Sequence, residues 1–257
     1  MPLQFRLPPT VCFRITRNCN ARCSFCLAPP DGWHPGEPTL RFRLDWLLER
    51  GVRVIQFCGG EPTIHEALPQ LIAYVHERGA KTVLSSNAIA IPGALLPLLR
   101  AAGTRVKVSL HGDRDHHDAI AGTGCFERTT RNIGRLLAAG VATSLQTTAV
   151  SGASFAVDWV IGYCLERGVR RLGVLPFLPR GNGRGLRGEF GLSGPERRAL
   201  HDFLTLKRRE LSGQLDLRWL DLTARPILVV EADGKVVLEG ATEAMDRLIG
   251  EIPAGFA

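Results

Sequence analysis

Hydrophobic positions along this chain follow two periods in turn. Short runs containing Val, Ile and Leu (Val11–Thr16, Val52–Cys58, Lys81–Ser86, Arg105–Leu110, Ala142–Val150 and Arg171–Leu175) have the length and pattern of strands. Between them, apolar residues recur at helical spacing over Thr39–Arg50, Ala67–Arg78, Gly93–Ala102, Phe126–Ala139 and Phe155–Arg167. Gly79, Gly103 and Gly140 stand where helices of this kind stop. Parallel strands joined by helices require right-handed crossovers. The simplest reading is therefore an α/β fold, a partial (β/α)6 TIM-like barrel. Ligands of such sheets gather at the carboxyl ends of the strands. Cys19, Gly59, Asn87, His111 and Pro176 all follow strands, so they belong on one face.

Beyond the sixth strand the pattern changes. Phe177–Gly191 holds Gly181, Gly183, Gly185 and Gly188 with Arg180, Arg184 and Arg187 and reads as a mobile segment. A helix over Pro195–Arg209 follows, capped by Ser193, then a short strand at Leu215–Trp219. Ile227–Glu231 and Lys235–Leu238 flank Asp233-Gly234, a hairpin signal, and a short helix is expected to close the chain. The expected division is a barrel core over 1–190 and a small C-terminal α+β extension over 191–257, packed on the barrel.

The chemistry is concentrated in Cys19-Asn20-Ala21-Arg22-Cys23-Ser24-Phe25-Cys26 and in Gly59-Gly60-Glu61-Pro62. Three thiolates on one tight loop can surround one metal centre. A four-iron cubane usually takes four thiolates, so three leave one iron open, and open coordination positions are where metal chemistry occurs. Two other metal sites use the same cysteines. Zinc could take His34 as a fourth ligand, although no second paired-ligand knuckle is present, and a ferredoxin-like carrier could recruit Cys58 or Cys12.

The cysteine spacing, the aromatic Phe25 before the third cysteine, and the Gly-Gly-Glu-Pro turn after the second strand resemble the radical S-adenosylmethionine (radical SAM) superfamily. The barrel portion is similar to its molybdopterin-cyclase-like and peptide-maturase branch. The resemblance implies one [4Fe-4S] cluster on Cys19, Cys23 and Cys26, with SAM as the second cofactor. It implies SAM contacts at Phe25, Gly59, Gly60, Glu61, Pro62, Asn87, Ser109, Gln146 and Leu175. Two glycines would let the backbone approach a ligand, and Pro62 would stiffen the turn. The implied reaction is reductive cleavage of SAM to methionine and a 5′-deoxyadenosyl radical that abstracts hydrogen from a small-molecule or peptide substrate. An electron donor such as flavodoxin or ferredoxin is implied as partner. Relatives with auxiliary clusters carry further cysteines late in the chain; here none follows Cys164, so a single cluster is expected.

His111 could serve as acid, base or hydrogen-bond donor in the substrate space. Cys125 could return a hydrogen atom to a substrate radical, against the rival reading of a small buried apolar residue. Arg180 and Arg184 could clamp a carboxylate or phosphate. His116 and His117 sit among Asp113, Asp115 and Asp118, a concentration that could bind metal but reads more simply as a polar loop leading into a helix.

Composition sets the remaining limits. The net charge of +7 admits an anionic partner, yet Arg128, Arg131 and Arg135 recur on a helix face, where solvation explains them. With 7% aromatic residues and two tyrosines, a base-stacking platform for nucleic acid is not expected. Neither a long apolar run nor a signal-peptide pattern is present, and seven cysteines without a disulfide framework suit a reducing compartment, so a cytoplasmic protein is expected. An iron-sulfur electron carrier and a non-catalytic peptide-binding scaffold are the competing functions.

Overall fold

A computed structural model describes residues 7–222 and 226–254. In order, the elements are β1 (Thr10–Thr16), α1 (Glu37–Glu49), β2 (Val54–Gly59), α2 (Leu68–Glu77), β3 (Lys81–Ser86), α3 (Leu95–Ala101), β4 (Arg105–Ser109), α4 (Arg114–Ala121) and α5 (Cys125–Ala138). Next come β5 (Thr143–Ala149), α6 (Ser154–Arg167), β6 (Arg171–Pro176), α7 (Arg187–Phe190) and α8 (Gly194–Glu210). The chain ends with β7 (Asp216–Trp219), β8 (Ile227–Val230), β9 (Lys235–Glu239) and β10 (Arg247–Glu251).

All ten strands form one sheet in the order β10-β9-β8-β1-β2-β3-β4-β5-β6-β7. The strands from β8 through β7 pair in parallel, while β9 and β10 add an antiparallel edge. The sheet curls without closing, since β10 and β7 are its two edges. The expected partial barrel is thus present, and its sheet continues through β7 on one side and β8 on the other.

Strand alternation sorts the core from the lumen. Val11, Phe13 and Ile15 of β1, Ile55 and Phe57 of β2, and Val106 and Val108 of β4 are fully buried in the large core that also contains the helix residues Leu40, Leu44 and Leu71. The intervening residues face inward: Cys12, Arg14 and Thr16 on β1, Gln56 and Cys58 on β2, Ser85 on β3, Lys107 and Ser109 on β4, and Gln146 on β5. Registry confirms one common face, because Cys12 pairs with Gln56, Arg14 with Cys58, Ser85 with Lys107, and Ser109 with Gln146.

Two local readings are corrected. The chain closes with strand β10, preceded by a single 3-10 turn at Glu243–Met245, and not with a helix. Pairing of Arg247–Glu251 along β9 outweighs local helical preference there. The polar stretch after β4 is helix α4, started by Asp113, whose carboxylate accepts from the His116 N–H at 3.0 Å.

The C-terminal part is tied to the barrel by charge. Arg14 makes two hydrogen bonds to Glu239, at 2.8 and 3.0 Å, and also pairs with Glu231. Burial opposes the Arg14 charge, but Glu239 and Glu231 more than offset it and hold its pKa above the ordinary value. At the start of α8, Ser193 and Glu196 form a capping box, and Glu196 also accepts from Ser151 Oγ at 2.7 Å, fixing α8 to the loop after β5.

Candidate active site

The cysteine loop leaves β1 and is held at four points. Ser24 N–H donates to Ile120 O of α4 at 3.0 Å, and Cys26 N–H to Cys23 O at 3.2 Å. Asn87 Nδ2 donates to Asn20 Oδ1 at 2.8 Å, and Asn182 N–H to Cys26 O at 2.9 Å. The three thiols feel one another: burial, with Cys26 and Cys19 nearby, pushes the Cys23 thiol up to about 12, and burial also raises Cys19. Such thiols carry no charge until a metal takes their protons.

The three sulfurs are spread more widely than a zinc site allows. Tetrahedral zinc–thiolate bonds of about 2.3 Å place sulfurs about 3.8 Å apart. Among the described residues, the metal-type side chains that converge within 4.8 Å are His34, His65 and Glu66, and the cysteines are not among them. His34 is committed elsewhere, with Nδ1 against Thr16 Oγ1 at 2.8 Å and Nε2 against Glu66 at 3.0 Å. His65 accepts at Nδ1 from Ala67 N–H and donates from Nε2 to Pro35 O, so this trio offers no free imidazole. The zinc alternative therefore loses its fourth ligand. Cys12 and Cys58, the alternative thiolates for a carrier, stand on the inner face of adjacent strands, where Cys58 lowers the Cys12 pKa. Three sulfurs that do not all lie within 4.8 Å of one another suit a four-iron cube better than a single ion.

The Gly-Gly-Glu-Pro turn is knitted to the entry of that loop. Gly60 N–H donates to Thr16 O and Glu61 N–H to Asn18 O, both at 2.8 Å. A Cβ on Gly59 would overlap the Thr16 carbonyl, and one on Gly60 the Asn18 carbonyl. The close approach that demands glycine is thus to the protein's own backbone. Glu61 is buried, and its carboxylate accepts from Thr63 N at 3.0 Å, Thr63 Oγ1 at 2.7 Å, Ser86 Oγ at 2.8 Å and Asn87 N at 2.7 Å. Burial raises its pKa and the four donors oppose the rise. The four contacts bring hydrogens to both carboxylate oxygens and join the ends of β2 and β3. Pro62 opens the short 3-10 turn that follows.

Phe25 is buried in an aromatic group that His111, Phe177 and Phe190 of α7 complete. It meets His111 edge-on at 5.1 Å, Phe190 at 6.1 Å and Phe177 at 6.3 Å between ring centres. His111 Nδ1 accepts from Thr148 N–H, which leaves the proton on Nε2. Burial, with His117 and His116 adding to it, pushes the His111 pKa down to about 3, so its ring is neutral near pH 7 and can donate without carrying charge. Across the lumen, Ser109 and Gln146 sit side by side with no hydrogen bond from either side chain to another described residue. Leu175, one strand further, packs with Leu178 and Ala241.

A family profile described as the Radical SAM superfamily matches residues 13–155, more than half of the chain. The chain belongs to the radical SAM superfamily. The superfamily uses a [4Fe-4S] cluster and SAM. The AdoMet-dependent heme synthase of Nitratidesulfovibrio vulgaris is 29% identical over 183 residues, covering 68% of this chain and 50% of that protein. GTP 3′,8-cyclase 2 of Mycobacterium tuberculosis is 31% identical over 197 residues, covering 71% of this chain and 54% of the cyclase. The chain thus spans about half the length of these relatives. Streptococcus suis SuiB, solved with S-adenosylmethionine, superposes with a TM-score of 0.75 at 15% identity, over 90% of this chain and 58% of SuiB, which shows the shared fold.

In this radical SAM barrel several expected site residues have other engagements. Asn87 does not point its amide into open space: besides Asn20, its Nδ2 lies 3.9 Å from Cys19 Sγ, and its Oδ1 accepts from Ile89 N–H. Arg180 is no free clamp, since it bonds Glu239 at 3.0 Å, Asp246 at 2.9 Å and Gly240 O at 2.8 Å. Arg184 is exposed and pairs with Glu243 at 3.0 Å. Cys125 is buried with Ala21, Ile89 and Ala121 against Cys19 and Cys23, its thiol directed to Ala121 O, so it packs behind the cysteine loop. The His116 and His117 region is a capped helix, with Asp118 accepting from Gly124 and Phe126 N–H.

The segment after β6, expected to be mobile, is a 3-10 turn at Gly181–Leu186 running into α7. It supplies two residues that the sequence did not single out. Asn182 grips the cysteine loop, and Phe190 completes the ring group around Phe25. Ser86, which secures Glu61, was equally unmarked; its position at the end of a strand was the available signal.

Proposed function

We propose that this chain is a radical SAM enzyme whose Cys19, Cys23 and Cys26 hold a [4Fe-4S] cluster, with SAM beside it and a substrate in the barrel lumen. The observation that carries this reading is the double hydrogen bond between the cysteine-loop entry and the Gly-Gly-Glu-Pro turn, which builds both motifs into one rim over the lumen. When bound, the reduced cluster and SAM together supply a 5′-deoxyadenosyl radical that takes hydrogen from a substrate carbon.

The chain's own residues have separable duties. Glu61, held by four donors, fixes the turn whose backbone meets the SAM amino group. Ser109 and Gln146 offer unpartnered donors and acceptors to the ribose diol. Phe25 and Leu175 give apolar surface to the adenine, while Pro62 and Asn87 hold the rim on either side. His111, neutral and oriented by Thr148, donates a hydrogen bond into the same space. The aromatic group around Phe25 keeps water out, as radical chemistry requires.

The substrate is a small molecule or a peptide. The heme synthase and cyclase relatives support the first, and the SuiB structure containing its precursor peptide SuiA supports the second. A low-potential donor such as flavodoxin or ferredoxin delivers the electron, in a cytoplasmic setting. Among the described residues no helix is long and apolar enough to cross a membrane. Anaerobic reconstitution with iron and sulfide, reduction, and addition of SAM tests the reading. Methionine and 5′-deoxyadenosine in equal amounts, both abolished in Cys23→Ala, support it; intact SAM beside a fully loaded cluster overturns it.

A further inference from the structure

Lys107 is a half-buried cation on the inner face of the sheet, without a counter-charge among the described residues. It lies mid-strand on β4, where Val106 and Val108 turn outward into the core. Cys12 of β1 and Cys58 of β2, neither of them on a neighbouring strand, share that inner face and act on its charge. Among the described residues it has no ion pair and no hydrogen bond. The inner-face acids nearby are already engaged: Glu239 holds Arg14 and Arg180, and Glu231 holds Arg14 and Arg17. The chain has four lysines, and Lys207 and Lys235 are paired with Glu210 and Asp233 while Lys81 is exposed.

A second unsatisfied group lies beside it. Ser85, in direct register with Lys107, has a buried hydroxyl with no partner. Ser109 and Gln146, also free, stand one inward-facing layer nearer the strands' carboxyl ends. Buried polar groups are normally hydrogen-bonded, so the Ser85 hydroxyl calls for a partner, and the half-buried Lys107, which holds no counter-charge among the described residues, stands beside it open to the lumen, where a ligand would complete both. Burial draws the Lys107 pKa below its ordinary value while the two thiols oppose that fall.

We propose that Lys107 and Ser85 form the anchor for an anionic group of the substrate, a carboxylate or a phosphate, held in the lumen beneath Ser109 and Gln146. This rests on the reading of the lumen as the substrate chamber. It names what that chamber selects: a molecule with a negative end whose reacting carbon lies toward the strands' carboxyl ends. The ammonium supplies the charge and the hydroxyl one directed donor.

Carbamylation by cyanate, mapped by mass spectrometry on the cluster-loaded protein without SAM, tests the anchor independently of SAM cleavage. Acetate, succinate, inorganic phosphate and pyrophosphate are the probes, and comparison among them separates carboxylate from phosphate recognition. We expect at least one to slow Lys107 modification saturably, by roughly tenfold, while Lys81 and Lys235 are unaffected. Ser85→Ala should weaken that protection with the cluster content unchanged. Equal behaviour of Lys107 and Lys81 with every anion overturns the proposal. So does a Lys107 that cyanate never reaches, since such an amine could not meet a substrate.

Discussion

The backbone N–H of Asn182 donates to the carbonyl of Cys26 at 2.9 Å, so the segment after the sixth strand grips the third cysteine of the metal loop. Asn182 Nδ2 reaches Cys23 O at 3.4 Å, and Gly181, at φ +57°, has no room for a Cβ against the Cys26 carbonyl. Glu243, near the C-terminus, accepts from Gly181 N–H at 2.8 Å. A chain of contacts thus runs from the C-terminal strands to the cysteines.

That grip is open to substitution. Gly181→Ala forces both a left-handed backbone and an overlap, at a cost of about 1–3 kcal/mol. Asn182→Pro removes the donor. We expect both variants to keep their far-ultraviolet circular dichroism yet lose bound iron several-fold faster to a chelator than the parent. Asn182→Ala, which keeps the backbone N–H, should lose it only slightly faster.

Glu61 should tolerate neither a smaller nor an isosteric replacement. Glu61→Ala leaves the Ser86 hydroxyl and the N–H groups of Thr63 and Asn87 without their acceptor, which costs about 3 kcal/mol. Glu61→Gln places an amide N–H₂ among groups that all donate. Thermal denaturation of the metal-free protein should show a lower Tm for both, and SAM affinity should fall in whatever remains folded.

Ser109 and Gln146 should act on SAM without acting on the fold. Neither side chain bonds to the described protein, so Ser109→Ala and Gln146→Leu should leave Tm nearly unchanged. We expect each to raise the SAM concentration needed for half-maximal binding by roughly two- to tenfold, read by equilibrium dialysis.

The two stacked imidazoles predict an acid limit. Burial holds His111 at about 3 and His117 at about 4, against an ordinary value of 6.5. In the unfolded chain both take protons below pH 6.5 while in the fold they do not. Their contribution to stability is therefore complete above pH 6.5 and is lost as pH falls toward 3–4. Urea denaturation from pH 7.5 to 4.5 should show a falling midpoint, and His117→Gln should flatten part of that slope.

Much of this was legible in the sequence for definite reasons. Strands such as Val11–Thr16 and Arg105–Leu110 announce themselves because apolar residues recur at alternate positions over the length of a strand, and Cys19, Cys23 and Cys26 are informative because sulfur chemistry fixes their spacing. Reading failed where a residue's partner is distant in sequence. Gly181 looks like a source of freedom, yet it is there for contact with Cys26. Arg180 looks like a ligand clamp until Glu239 and Asp246 come beside it. Residues 247–251 became a strand through β9, and a single lysine in a strand gives no hint that its counter-charge is missing.

The central claim is that three thiolates leave one iron open to SAM, and electron paramagnetic resonance tests it most directly. The reconstituted, dithionite-reduced protein should give a [4Fe-4S]⁺ signal of about one spin per chain whose g-values shift when SAM is added, with the signal lost in Cys19→Ala, Cys23→Ala or Cys26→Ala. A full-strength cluster signal that SAM leaves unchanged would contradict the account.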